Sequence, residues 1–411
     1  MEKVIALNAD YGYIDRVEVT LKSILYNVQN VKIYLLNYDI PQEWFANINH
    51  YSKQIGSEII DLKFNPQELR DLSSPFAHIN QMAFARLLIP KLIKEDRVLY
   101  MDCDAIVDDN IDKLFSWDFK GKKILAVPDV LVLENVDEMT KDEPVHQINS
   151  GVLLINNKEL RKDPNLSEKL LAYGRKNQFK MGDQEIIDRY FKGEIGVLPL
   201  KYNYTIGTDS LVFWASRQDL IELLDKEKDP KIIHYMSDDK PCNLFSEGRM
   251  RDRWWFYHDL NMIQIVDKFG QYDPNQVRKQ TYRGELFTFT NSQDLEHLEE
   301  LVQKLTDYHF NIAAWTDMGW DLKVLMKYPN VNLYPYVIGK RLDNIFEKMT
   351  AYLDINQGNK ETDIIKRVED NNLPILAFES TANKDSNYPN YKIVGDDQID
   401  EMVAQIKKSE I

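Results

Sequence analysis

Cysteine is scarce in this chain of 411 residues: Cys103 and Cys242 are the only two, and they lie far apart. That excludes a disulfide framework and any closely spaced cysteine metal site, and it suits a reducing compartment. Long apolar runs are missing too. The first, "VIAL" at residues 4–7, gives way at once to polar residues and is too short for a secretory signal. No stretch approaches the ~20 apolar residues that span a bilayer. A cytoplasmic protein without a transmembrane segment is expected. Basic excess is also absent, with 51 Lys and Arg against 66 Asp and Glu and a net charge of −15. Nucleic-acid binding driven by counterion release needs basic surface and is not expected. A few Arg or Lys side chains or a metal ion would still suffice to hold a nucleotide. What is present, 44% hydrophobic and 28% charged residues, is an ordinary globular composition, and the length predicts two domains.

The first half alternates short apolar runs with helical patterns. "KVIALNA", "VKIYLLNYD", "SEIIDLKF", "RVLYMDCDAIV", "KILAVPDV" and "GVLLINN" read as strands. "DRVEVTLKSILYNV" places Val17, Leu21, Ile24, Leu25 and Val28 at helical spacing, and "EWFANINHYSKQI" and "QMAFARLLIPKLI" read as further helices. Such alternation predicts an α/β sheet, parallel at its start, whose ligands gather at the carboxyl ends of strands. A polar seam with Gly and Pro, residues 268–284, separates domains expected at 1–268 and 284–411. Beyond it the alternation restarts, giving a smaller α/β unit large enough for its own core.

"YMDCDAIV", residues 100–107, carries two carboxylates one residue apart. If the strand runs through them, Asp102 and Asp104 share a face and Cys103 points the other way. Two acids so close repel, and a hard divalent cation removes the conflict. The plainer reading is a strand end at which both acids meet water. At residues 234–242, "HYMSDDKPC" supplies a histidine at the end of an apolar run and Lys240 beside a proline. An imidazole joining two carboxylates favours Mn²⁺, with Mg²⁺ as the substitute. On its own, His234 would more often be a structural hydrogen-bonder and Lys240 a solvated surface residue. The basic, aromatic window "GRMRDRWWFYHDL", residues 248–260, fits the last helix of the first domain. Its alternatives are contact with the inner face of a membrane or stacking on a sugar.

Five segments occur together and in order: "ALNADYGY", "AFARLLIP", "LYMDCDAIV", "INSGVLLIN" with "MGDQEIID", and "HYMSDDKP". In this the chain resembles glycosyltransferase family 8, the retaining, metal-dependent enzymes of the GT-A fold, over about residues 1–265. The resemblance implies a Rossmann-like catalytic domain that moves galactose or glucose from UDP-galactose or UDP-glucose to a glycan. It implies that Asp10 bonds the uracil and Tyr13 stacks on it, with Asn8 and the backbone of Ala9 completing the pocket. Arg86 contacts the donor. Asp102, Asp104 and His234 hold Mn²⁺, with Cys103 between the two acids. Lys240 meets the diphosphate, and Asn149, Asp183 and Gln184 surround the transferred sugar, with Asp129 nearby. Position 237 departs from the family pattern, with Ser237 where glycine is usual, and so does Cys242, where tryptophan is common.

The resemblance also frames the chemistry. As the glycosidic bond breaks, charge grows on the β-phosphate, where a metal and Lys240 would stabilise it. Retention by a covalent intermediate wants a carboxylate beneath the anomeric carbon. The family places an amide there, Gln184, so same-face attack is expected, with Asp183 the nearby carboxylate. Residues 284–411 resemble the nucleotide-binding half of a GT-B glycosyltransferase, with Glu361 and Glu369 at an E-x7-E spacing. Similar tails occur in bacterial enzymes that glycosylate serine-rich adhesins. "FTFTNSQDLEH" lacks the glycines that let a phosphate approach a helix, so a non-catalytic unit that binds acceptor, partner or a second copy of the chain is expected. The other readings are a transferase for lipopolysaccharide or other surface saccharides, a nucleotidyltransferase, and a degenerate glycan-binding scaffold. The nucleotidyltransferase lacks its Gly-rich loop here, and the complete Asp102, Asp104 and His234 set speaks against the scaffold.

Overall fold

The structure, a computed structural model, describes residues 2–74, 81–144, 147–177, 179–236, 238–244, 246, 248–270 and 282–408. The chain divides into two compact units, Met1–Gln276 and Val277–Ile411. In the first, the strands in chain order are β1 (Lys3–Asn8), β2 (Val31–Asn37), β3 (Glu58–Lys63), β4 (Val98–Met101), β5 (Ala105–Val107), β6 (Ile124–Pro128), β7 (Ile148–Ile155), β8 (Ile195–Val197), β9 (Tyr204–Ile206) and β10 (Ile232–Tyr235). Seven of them form one sheet in the order β3-β2-β1-β4-β7-β6-β8. Strands β3, β2, β1 and β4 run parallel, and β7 enters antiparallel to β4. The apolar run of β1 is buried on both faces. Ile5 and Leu7 join one core cluster, which includes the apolar face of the helix Ile14–Asn27, and Val4 and Ala6 join the other. That is why "VIAL" is continuous rather than alternating.

A second sheet has the order β5-β10-β9, and here one expectation is corrected. Asp102 and Asp104 do not lie on one strand. β4 ends at Met101, β5 begins at Ala105, and Asp102–Asp104 form the turn between them. The chain leaves the large sheet at Met101 and joins the small one at Ala105, so the alternation argument does not apply. The window "GRMRDRWWFYHDL" forms the helix Arg251–Asp259, which buries Trp254 and Tyr257.

The second unit has one parallel sheet, β11 (Gly284–Phe289), β12 (Tyr308–Ala313), β13 (Val331–Tyr334), β14 (Ala351–Leu353), β15 (Ile375–Phe378) and β16 (Tyr391–Val394), in the order β13-β12-β11-β14-β15-β16. This is the doubly wound order, whose topological switch point falls between β11 and β14. The edge strand β16 went unread in the sequence because Lys392 and Ile393 are exposed, leaving no apolar pattern to detect. Among the described residues, no helix is long and apolar enough to cross a membrane.

Candidate active site

The carboxyl ends of β1 and β4 open onto a cavity of about 440 Å³. Strand β10 brings the third element. It pairs antiparallel with β5, His234 opposite Ala105, and the Tyr235 N–H donates to the Asp104 carbonyl at 3.0 Å. This register sets His234 beside the Asp102–Asp104 turn, and ligand atoms of Asp102, Asp104 and His234 lie within 4.8 Å of one another.

The orientation of the imidazole follows from one backbone group. The Gly151 N–H donates to Asn149 Oδ1 at 3.0 Å, and Asn203 Nδ2 donates to the same oxygen at 2.7 Å. Asn203 therefore turns its Oδ1 to His234 Nδ1, 3.1 Å away. The acceptor oxygen puts the proton on Nδ1 and leaves the Nε2 lone pair facing the carboxylates. Nε2 is 3.1 Å from Asp104 Oδ1 and 4.0 Å from Asp102 Oδ2. Asp104 Oδ1 is buried and makes no hydrogen bond. A lone pair aimed at an orphaned carboxylate oxygen is unfavourable unless a cation lies between them. The donor set of two carboxylate oxygens and one imidazole nitrogen fits a divalent metal of the Mn²⁺ type.

Basic side chains brace the acids. Lys240 donates to Asp104 Oδ2 at 2.6 Å and to the Tyr235 carbonyl at 2.7 Å. Burial alone would raise the pKa of Asp104, but the Lys240 ammonium against its other oxygen outweighs burial and holds the carboxyl below its usual range. Arg86, 6% exposed, donates to Asp102 at 2.8 Å, to the Ser150 carbonyl at 2.6 Å and, through Nε, to the Ala83 carbonyl at 2.8 Å. Its Nε also lies 3.1 Å from Asp183. Arg86 thus lines the cavity with its donors already directed at protein groups, and it orients the two acids. Burial pushes Asp183 up to about 6, with Arg86 pulling it down and Asp102 adding to the rise.

The other expected residues fall as follows. Asn149, Asp183 and Gln184 line the cavity. Gln184 donates to Asp129 at 3.1 Å and accepts from the Ser150 N–H at 3.2 Å, so Asp129 stands behind the glutamine. Asp10 and Tyr13 also line the cavity, and Asp10 does not cap the turn that follows it. The Asn8 side chain bonds the Met82 carbonyl and the Tyr100 hydroxyl, so it fixes the floor from inside. The Ala9 N–H donates to the Leu36 carbonyl at 3.1 Å. The Cys103 thiol turns to the Asn8 carbonyl at 3.5 Å. Ser237 lies outside the described residues. Sequence reasoning missed Tyr100, Ser150, Asn203, Arg16 and Gly151. A signal existed for the last: a glycine inside a strand marks a close approach. A Cβ there would fall 2.1 Å from His234 Cε1.

Residues 4–243 match the model of glycosyl transferase family 8, and residues 286–410 match the GftB/GlyA-F C-terminal domain. The glycosyltransferase GlyE of Streptococcus pneumoniae is 33% identical over 411 residues, covering 99% of this chain and 98% of GlyE. Its crystal structure superposes with a TM-score of 0.84 at 32% identity over 100% of this chain and 99% of that one. GlyD of the same organism is 37% identical over 392 residues, 93% of this chain but 46% of GlyD, so the chain spans less than half of that longer relative. The galactosyltransferase LgtC, solved with donor and acceptor sugar analogues, shares the fold of the first unit. Its TM-score is 0.52 at 21% identity, covering 66% of this chain and 98% of LgtC. The chain belongs to glycosyltransferase family 8: it is a glycosyltransferase with a GT-A first domain and a second α/β domain of the GftB/GlyA-F type.

Proposed function

We propose that this chain transfers a hexose, galactose or glucose, from a UDP-sugar to a glycan acceptor with retention of configuration, and that the acceptor is carried on a glycoprotein of the serine-rich adhesin kind. The observation that carries the reading is the orphaned Asp104 Oδ1. It faces the His234 Nε2 lone pair on the floor of a cavity in a family 8 glycosyltransferase. Asp102, Asp104 and His234 would hold Mn²⁺ or Mg²⁺. Once bound, the ion supplies Lewis-acid stabilisation of the leaving diphosphate.

The protein's own groups do the rest. Asp10 accepts from the uracil, and Tyr13 offers a ring to stack on it. Tyr13 stays a neutral phenol, because burial and then Asp104 raise its pKa far above the working range. Lys240 places its ammonium where phosphate charge grows. Asn149 and Gln184 bind the sugar hydroxyls. An amide at position 184 cannot form a glycosyl ester, and this supports same-face attack, in which the departing phosphate takes the acceptor proton. Asp183, tied to Arg86 and Ser150, positions the sugar rather than attacking it. Residues 1–268 form the catalytic domain. Residues 284–411 form a non-catalytic unit that binds acceptor, partner or a second copy of the chain. The proposed compartment is the cytoplasm, which suits the two free cysteines, Cys103 and Cys242.

The test is UDP release from a panel of UDP-sugars, with and without Mn²⁺. Metal-dependent release from one sugar is expected and names the donor. No release across the panel, together with no calorimetric binding of UDP, would overturn the reading.

A further inference from the structure

Three basic side chains line the cavity: Arg86, Lys240 and Arg16. The first two are neutralised inside the protein, Arg86 by Asp102 and Asp183 and Lys240 by Asp104. Arg16 is not. Among the described residues its guanidinium forms no ion pair, and its Nε is buried without a hydrogen-bond partner. Glu18, two residues on, accepts from the Trp44 indole N–H at 2.8 Å. In a chain of net charge −15, a basic group without a carboxylate inside a cavity calls for an explanation.

Its position adds a second observation. Arg16 is the third residue of the fourteen-residue helix Ile14–Asn27. The first turn of a helix carries the positive end of the macrodipole, so a cation there is locally unfavourable, whereas an anion in front of it is stabilised. A guanidinium without an ion pair, seated on the first turn of a helix, asks for negative charge. The contact Arg16 does make narrows the choice. Its Cζ lies 4.6 Å from the centroid of the Tyr13 ring. With the cation over one face of that ring, a base that stacks on Tyr13 has to use the other.

We propose that Arg16 binds a phosphate of the nucleoside diphosphate donor, on the far side of the Tyr13 ring from the base. The assignment rests on the reading of the cavity as the nucleotide site. It gives the diphosphate two basic contacts, Lys240 and Arg16, of which only Arg16 has no internal counter-charge.

The test is calorimetry on the full chain at fixed Mn²⁺ with uridine, UMP and UDP, comparing the parent with Arg16→Met and Arg16→Lys. Unchanged near-ultraviolet circular dichroism controls for folding. For Arg16→Met, UDP binding should weaken by about tenfold or more, the scale of one charge-assisted hydrogen bond. UMP should weaken as well, and uridine should keep its affinity. Arg16→Lys should recover part of the UDP affinity. Equal weakening of uridine and UDP would overturn the assignment and leave Arg16 as a support for Tyr13. Unchanged UDP affinity in Arg16→Met would overturn it outright. A parent chain that binds none of the three would overturn the nucleotide reading itself, and the assignment with it.

Discussion

Both units set a first strand beside a fourth, β1 beside β4 and β11 beside β14, and at those carboxyl ends they diverge. In the first unit the edge is open. Asn8 to Tyr13 and the Asp102–Asp104 turn frame a cavity, and one buried carboxylate oxygen has no hydrogen bond. In the second the same place is sewn shut. Asp354, 1% exposed, has one oxygen 2.6 Å from Lys360 Nζ and accepts at the other from the Tyr391 hydroxyl at 2.5 Å. Thr290, at the end of β11, donates to Asn356, beyond β14, at 3.1 Å. The topology offers a ligand site in both units. Whether the polar groups at the strand ends already have partners decides if the place binds or braces.

The strongest way to break the contrast is to remove the unsatisfied group. Asp104→Asn should lower metal-dependent sugar transfer by roughly two to three orders of magnitude, the scale of losing one preorganised electrostatic group. The midpoint of thermal unfolding should fall too, because Lys240 loses its counter-charge, so activity is compared at a temperature at which the variant is folded. Full activity in this variant would mean that the metal site is wrongly assigned. The mirror experiment is Lys360→Met in the second unit. Leaving Asp354 buried without its cation should destabilise that unit by about 3 kcal/mol, the scale of breaking a buried pair. UDP affinity should stay at the parent value. If UDP binding fell while thermal unfolding did not move, the closed switch point would be a ligand site after all.

Much of this was legible beforehand, for reasons that differ by element. Many strands and helices showed in apolar periodicity, as in "KVIALNA" and "ETDIIKRVEDN", because burial on one face or two writes itself into spacing, whereas short ones such as β8, β9 and β16 did not. The metal group was legible as residue types but not as geometry. The strand was expected to continue through Asp102, yet the chain changes sheets there, and pairing between β5 and β10 brings His234 alongside. Arg16 was invisible because its significance is the lack of a partner, and that exists only in three dimensions. The closure of the second switch point was hidden in the same way. "LDIN" and "GNKE" give no hint that Lys360 folds back onto Asp354.

The cavity also differs from the second unit in carrying a carboxyl strained by burial, which the pH dependence of stability can expose. Asp183 titrates at about 6 in the folded chain against an ordinary value of 3.8. Between these values the folded state holds a proton that the unfolded state has lost. Stability should therefore fall as pH rises from about 4 to 6, with the full cost, on the order of 2–3 kcal/mol, present above that window. Asp183→Asn keeps acceptors for Ser150 and Arg86 and removes the ionisation. It should flatten the profile and raise the unfolding midpoint at pH 7.5. A variant with the parent's slope between pH 4 and 6 would show that another group carries it.

Gly151 offers the finest test, because it alters spacing and no charge. It lies in β7, where its carbonyl accepts from the Asp102 N–H at 2.8 Å and its N–H starts the chain of amides that orients His234. A methyl group there would stand 2.1 Å from His234 Cε1, 2.7 Å from His234 Nδ1 and 3.0 Å from Asp102 Oδ2. The imidazole must shift to make room, and its hydrogen bond to Asn203 goes with it, while Asp102, Asp104 and His234 all remain. Loss of such an orienting contact weakens a metal site by about 10- to 100-fold. Gly151→Ala should therefore lose Mn²⁺ affinity by that factor in calorimetry without UDP, and removal of the second unit's Lys360–Asp354 pair should have no such effect. Parent-like Mn²⁺ affinity in Gly151→Ala would show that the ion does not need His234 where β10 holds it, and would reduce the metal site to the two aspartates.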